Sequence, residues 1–232
     1  MPHTTPLAST LDTAGWLVTD PVVPRDVLDA LIAELEPGAL TGAGRGGVRN
    51  LLDAATVQAL ARSGAVRAVA EAALGSGCGA VRGLLFDKTP VANWKVAWHQ
   101  DLAIAVRARR DAPGYGPWSE KAGVPHVHAP AALLERMVAI RVHLDDCGPD
   151  NGPLRVLPGS HRAGRLGAGD IAAWKARVEP VTCVAARGGL LALRPLVLHA
   201  SSPARSPAHR RVVHLEFAAA PLGDGLQWQT WV

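Results

Sequence analysis

Cysteine is scarce in this sequence: Cys78, Cys147 and Cys183 are isolated and odd in number. No C-x-x-C pair occurs, which argues against a structural zinc site or a disulfide framework and fits a reducing compartment. Lysine is sparse too. Only Lys88, Lys95, Lys121 and Lys175 are present, so arginine carries most of the positive charge behind the net +4. No recognition motif or basic stripe accompanies that charge, which speaks against a nucleic-acid partner. Long hydrophobic runs and a charged-then-apolar leader are missing, so a soluble cytoplasmic protein without a membrane partner is expected. Low-complexity tracts are missing as well, and 48% apolar residues argue against disorder. What remains is a chain of 232 residues, enough for one domain with a real core and a helical annex, as a monomer or small homo-oligomer.

Taken in order, residues 1–10 are polar and read as loose. Gly15 to Val18 reads as a short strand. Asp26 to Glu36 carries an apolar stripe of Val27, Leu28, Leu31, Ile32 and Leu35, and Pro37-Gly38 should end that helix. Thr41 to Val48 is glycine-rich but lacks the Gly-Lys-Ser/Thr ending of a phosphate loop, so it reads as a flap. Alanine-rich helices follow near Leu51 to Arg62 and Ala65 to Leu74. From Ala80 the texture changes to short β-like runs: Ala80 to Asp87, Lys95 to Val106, Met137 to Asp145, Leu154 to Leu157, Gly189 to His199 and Arg211 to Ala219. This order predicts a helical support over residues 1–79 and a β core over 80–220, a sandwich or barrel with helices outside. Residues 107–130 form a long connection holding Tyr115, Trp118, His126 and His128, which reads as a lid or binding loop. Pro125 and Pro130 argue against a regular strand there, and its histidines read as surface residues. Arg107 to Arg110 is the densest basic patch, either a solvated loop or a contact for an anionic substrate.

The stretch Trp98-His99-Gln100-Asp101 carries the chemistry. Side chains at i and i+2 of a strand project to one side, so His99 and Asp101 share a face. From Trp94 to Val106 one face carries Trp94, Val96, Trp98, Leu102 and Ile104. The other carries Lys95, Ala97, His99, Asp101, Ala103 and Ala105, leaving room beside the imidazole and carboxylate. Those two groups are two thirds of a facial triad for non-haem iron, although H-x-D alone is a weak signal. The same alternation recurs. Val138, Ile140, Val142 and Leu144 oppose Ala139, Arg141, His143 and Asp145; Arg211, Val213, Leu215 and Phe217 oppose Arg210, Val212, His214 and Glu216. Polar faces built from Arg, His and Glu suggest the lining of a barrel, with solvated faces as the alternative. His199, on an apolar strand face with Val197 and Ser201, reads first as a satisfied core residue.

Three segments then change that reading: Trp98-His99-Gln100-Asp101-Leu102; Asn151-Gly152-Pro153-Leu154-Arg155-Val156-Leu157-Pro158-Gly159-Ser160-His161-Arg162; and His199-Ala200-Ser201-Ser202 followed by Arg210-Arg211. In order and spacing, from about Gly15 to about Phe217, the chain resembles the phytanoyl-CoA dioxygenase family of Fe(II)/2-oxoglutarate oxygenases. The resemblance implies a mainly β fold, a double-stranded β-helix or jelly-roll barrel braced by N-terminal helices. It implies Fe(II) held by His99, Asp101 and His199, with 2-oxoglutarate as cosubstrate and O2. An arginine about eleven residues after the distal histidine would clamp the far carboxylate in a bidentate fork. That count lands on Arg210, whose face also carries His214, while Arg211 heads the apolar face. Ser201 would add a hydroxyl, with Lys88 and Asn93 as further cosubstrate candidates. Arg141, His143 and Trp118 are candidates for the substrate. Asp101 is not replaced by the Ala or Gly of related halogenases, so the implied outcome is hydroxylation or a similar C–H oxidation of a small molecule, releasing succinate and CO2. Two rivals stay open: a cupin-type metal enzyme that does without 2-oxoglutarate and Arg210, and a non-catalytic jelly-roll binding module.

Overall fold

A computed structural model describes residues 4–39 and 47–232, with side chains for residues 7–35 and 47–232. The residues expected to be loose form α1 (Thr4–Thr13) instead, because Leu11 is fully buried and Leu7 packs beside it. After β1 (Trp16–Val18), α2 (Arg25–Ala39) runs past Pro37-Gly38. A proline in a last turn removes one backbone bond without stopping the chain. The glycine-rich stretch read as a flap lies outside the described residues as far as residue 46. The helix expected over Leu51 to Arg62 divides into a 3-10 turn (Leu51–Asp53) and α3 (Ala55–Arg62). Leu51 and Leu52 both press on Gly83, which consecutive residues of one α-helix cannot do from a single face. Helix α4 (Gly64–Leu74) completes the support.

The β core follows as β2 (Gly79–Lys88), β3 (Val96–His99), β4 (Ala103–Ala105), β5 (Trp118–Lys121) and β6 (Val124–His128). After α5 (Ala131–Leu134) come β7 (Met137–His143), β8 (Leu154–Val156), α6 (Ala168–Arg177), β9 (Val181–Cys183), β10 (Leu190–Leu193), β11 (His199–Ser201) and β12 (Arg210–Ala218). One antiparallel sheet has the order β1-β10-β7-β12-β2 and a second the order β3-β11-β8-β9. The outer face of the larger sheet, with Val138, Ile140, Val142, Val213, Leu215 and Phe217, is buried under the helices. Its inner face meets the second sheet through Ala139, Leu191 and Leu193 against Leu154, Val156 and Val197. This is the jelly roll. Among the described residues no ladder joins the two sheets, so side chains rather than backbone bonds close it.

Two expectations need correction. The 107–130 connection is not a bare loop: β5 and β6 make a hairpin that pairs with β4 in a third sheet, β4-β6-β5. Pro125 is tolerated inside β6 because its carbonyl still accepts from Val106 N–H (3.0 Å), and His126, beside it, is buried. The run from Lys95 to Val106 is not one strand either. His199 pairs with His99 but Ser201 pairs with Val96, so two residues of β3, Ala97 and Trp98, oppose the single Ala200 of β11 in a bulge. The extra residue shifts the phase. Trp94 and Val96 therefore share a cavity with His99 and Asp101, while Lys95 and Ala97 are exposed.

Candidate metal centre

Gln100 sets the geometry. Its buried amide donates to Leu196 O and Gly164 O (both 2.8 Å) and accepts from Leu166 N–H (2.8 Å). Held there, it turns the chain out of β3, and Asp101 N–H donates to Pro195 O (2.9 Å). His99 stays in the ladder opposite His199, with ring centroids 4.2 Å apart. Ligand-type atoms of His99, Asp101 and His199 lie within 4.8 Å of one another, the one such group among the described residues.

Each ring is oriented by its own strand. His99 Nδ1 bonds Ala97 O and His199 Nδ1 bonds Val197 O, both at 2.9 Å. Both Nε2 atoms are thereby left bare and aimed at Asp101, 3.6 Å from Oδ1 and 3.5 Å from Oδ2. A backbone carbonyl on the second ring nitrogen is the usual support of a metal-bound histidine. Burial alone would raise the Asp101 carboxyl, but His199 and His99 hold it well below the ordinary aspartate range. Burial presses His199 down to about 4, whereas His99 is raised because Asp101 outweighs its burial. A carboxylate and two imidazoles on one side of an ion suit a divalent first-row metal and leave its other side open. The residues fit iron.

A cavity of about 220 Å³ opens from this cluster. At one end Arg210, buried at the head of β12, pairs in register with Lys88 at the end of β2. Lys88 Nζ donates to Ser201 Oγ (3.2 Å) and to Ser202 O. Burial and the charge of Arg210 bring Lys88 down to about 8. Arg210 Nη1 donates to Gly152 O, and its buried Nε has no partner. Gly152 must be glycine here: its φ is +72°, and a Cβ would sit 2.8 Å from Ser202 O and 2.9 Å from Lys88 Nζ. Deeper in, Arg141 lies over the Phe86 ring (5.1 Å) and donates to His214 Nδ1 (3.3 Å). His214 Nε2 then donates to Glu216 Oε1 (3.2 Å), which also takes Arg82. Among the described residues no carboxylate forms an ion pair with Lys88, Arg141 or Arg210. Buried cations without counterions mark a place for an anion.

Seven of the ten candidates from the sequence thus line one cavity: His99, Asp101, His199, Arg210, Ser201, Lys88 and Arg141. Asn93 does not; it clips the backbone of Ala204 through both amide atoms. Trp118 packs into the second apolar cluster, with Arg109 stacked on it, because β5 turns it away from the cavity. His143 is buried outside the lining, pressed down to about 3 by burial and by Arg141. The Arg107 to Arg110 patch is exposed, and Arg107 borders a separate groove. His214, expected on the inward face of β12, lines the cavity as well, and Arg49, Arg82 and Phe86 line it unforeseen. Alternation along Arg82, Leu84, Phe86 and Lys88 carried the signal for β2, hidden by two apolar members. Arg49, outside any strand, carried none.

The chain matches the family Phytanoyl-CoA dioxygenase (PhyH) over residues 11–212. No curated protein matches it in sequence. Among solved structures, AviO1 from Streptomyces viridochromogenes Tue57 is similar at 20% identity and a TM-score of 0.68, over 96% of this chain and 99% of that one. The epimerase SnoN, from nogalamycin biosynthesis, was solved with Fe3+, alpha ketoglutarate and nogalamycin RO. It is 18% identical with a TM-score of 0.72, over 94% and 84% of the two chains. EctD from S. alaskensis, solved with 2-oxoglutarate and 5-hydroxyectoine, is 18% identical with a TM-score of 0.68, over 91% and 74%. These likenesses are of fold, and the family match spans most of the sequence. The jelly roll, its inward H-x-D and distal histidine, and that match together make this chain a member of the phytanoyl-CoA dioxygenase family, whose oxygenases use Fe(II), 2-oxoglutarate and O2.

Proposed function

We propose that the protein hydroxylates a C–H bond of a small molecule, with His99, Asp101 and His199 as the iron ligands. The observation that carries this reading is convergence: two bare Nε2 atoms and one carboxylate meet in the wall of a cavity that a cationic clamp also lines. When bound, iron together with 2-oxoglutarate and O2 supplies the oxidant, releasing succinate and CO2.

The chain's own residues do the rest. Ala97 O and Val197 O keep the proton on each Nδ1, so both imidazoles present a lone pair. Arg210 takes the far carboxylate of 2-oxoglutarate, aided by Lys88 and the Ser201 hydroxyl, and Gly152 O fixes the guanidinium. Arg141, held over Phe86 by cation–π contact and by His214, neutralises charge nearer the metal. Val96, Leu84 and Leu154 add apolar lining to the cavity, which helps to exclude water from the reacting bond. An intact Asp101 leaves no ligand position for a halide, which favours hydroxylation over halogenation. The described chain works as one oxygenase domain, with residues 1–79 as support and 80–220 as the jelly roll.

The test is anaerobic. Fe(II) followed by 2-oxoglutarate should produce a visible metal-to-ligand charge-transfer band in wild type. Asp101→Ala should abolish it and Arg210→Ala should weaken it. Well-folded wild type without the band would reject the cosubstrate assignment.

A further inference from the structure

The cavity is more basic than iron and 2-oxoglutarate require. Arg49, Arg82, Lys88, Arg141 and Arg210 line it, against one lining carboxylate, Asp101, with Glu216 beside Arg82. The charges of Fe(II) and of the 2-oxoglutarate dianion cancel. An excess of about three positive charges then remains in a half-enclosed space, where the field is concentrated by the surrounding protein.

That excess is not spread evenly. Arg82 and Lys88 are six residues apart on β2, about 20 Å along the strand at roughly 3.3 Å per residue. The five-carbon 2-oxoglutarate held at Arg210 and Lys88 cannot reach Arg82. Arg49 sits with Arg82 at this second end, and its placement is built. Val48 exchanges both backbone hydrogen bonds with Leu85 (2.9 Å each), and Asn50 Nδ2 donates to Ala122 O (3.4 Å). Between those two anchors Arg49 is half-buried and makes no hydrogen bond or ion pair with any described residue. Burial, followed by the charge of Arg82, lowers its pKa. Lys121, across the β5–β6 turn, is lowered by burial and then by the same two arginines. Glu216 is already shared between Arg82 and His214. Like charges fixed close together with one shared counterion destabilise the free protein, and an anionic ligand removes that cost.

We propose that Arg49 and Arg82 form a second anion subsite, at the end of the cavity opposite Arg210, that receives a carboxylate or phosphate monoester of the substrate. The inference rests on the oxygenase reading above. It deepens that reading by naming the substrate as an organic anion whose charged group lies at this end. Phe86 and Trp94 line the space between and would flank its carbon skeleton.

Calorimetric titration of the anaerobic Fe(II)–2-oxoglutarate protein with phenyl phosphate, benzoate and benzyl alcohol tests this. At least one anion should bind more tightly than the alcohol, and Arg49→Gln should weaken it about tenfold, the worth of one charge-assisted contact. Arg107→Gln, which removes an exposed charge elsewhere, should leave binding unchanged. Tighter phenyl phosphate identifies a phosphate ester as the source, and tighter benzoate a carboxylic acid. Arg49 has no hydrogen-bond or ion-pair partner among the described residues, so its variant should keep the fold, which an unchanged Tm checks. Anions that bind no better than benzyl alcohol, or equally well to Arg49→Gln and wild type, overturn the proposal. The charge-transfer band, read on the same samples, reports separately on the cosubstrate assignment.

Discussion

Replacing Arg210 by Gln should weaken 2-oxoglutarate binding by roughly two orders of magnitude while leaving the iron ligands in place. Arg210 is 4% exposed, so its pairing with a carboxylate takes place away from water. Cutting one partner from such a pair costs about 2–5 kcal/mol. Lys88 and Ser201 remain beside the same carboxylate, which favours the lower end, about 2–3 kcal/mol, or roughly 30–150-fold in Kd. The assay is an anaerobic titration of the Fe(II) protein with 2-oxoglutarate, read by its charge-transfer absorbance. pH supplies a second arm. Only protonated Lys88 attracts a carboxylate, and it loses its proton as pH rises through about 8, so wild-type Kd should climb above that pH. Burial is the larger cause of that depressed value and the charge of Arg210 the second. Without Arg210 the Lys88 titration should move upward, and the climb in Kd should begin at higher pH. A folded Arg210→Gln variant with Kd within about threefold of wild type would refute the clamp, because a buried pair cannot be worth so little.

Gly152→Ala should weaken 2-oxoglutarate and lower Tm together, since the new Cβ meets Lys88 Nζ and Ser202 O; left-handed backbone at a non-glycine residue adds about 1–3 kcal/mol. Asp145 accepts from Arg211 Nη2 (2.7 Å), Nε (2.9 Å) and backbone N–H (2.8 Å), and Asp145→Asn should cost about 1–3 kcal/mol in urea unfolding. Burial would raise Asp145, but the Arg211 hydrogen bonds outweigh it and lower its pKa. Its stabilisation is therefore full above the ordinary aspartate value and fades as pH falls through the depressed one, a loss the Asn variant should not show. Trp118→Ala should lower Tm through lost packing and leave the 2-oxoglutarate Kd unchanged, because the ring lies in the second apolar cluster.

Much of the site was legible in the sequence because strand chemistry is local. Alternation along β7 and β12 separates Ile140, Val142, Val213 and Leu215, under the helices, from Arg141, Arg210 and His214, in the cavity. The H-x-D, the distal His199 and the count to Arg210 needed the family pattern as well, since each alone fits a core or surface role. Legibility failed where a non-local contact overrode the local pattern. The β3 bulge, which brings Trp94 and Val96 into the cavity, arises from pairing with β11, about a hundred residues away. The β5–β6 hairpin survives Pro125 because β4 and β5 flank β6 on both sides. Arg49 reaches the cavity through the bridge between Val48 and Leu85 and the Asn50–Ala122 hydrogen bond, both long-range contacts. The basic patch at Arg107 to Arg110 drew attention by density alone, yet the cations that matter are dispersed along the sequence and gathered by the fold.

Iron-edge anomalous diffraction from crystals of the protein loaded anaerobically with Fe(II) tests the central claim most directly. A single strong peak bonded to His99 Nε2, His199 Nε2 and the Asp101 carboxylate, and lost in Asp101→Ala, is the expected result. A peak elsewhere, or a folded protein that leaves those three side chains without metal, would contradict the account.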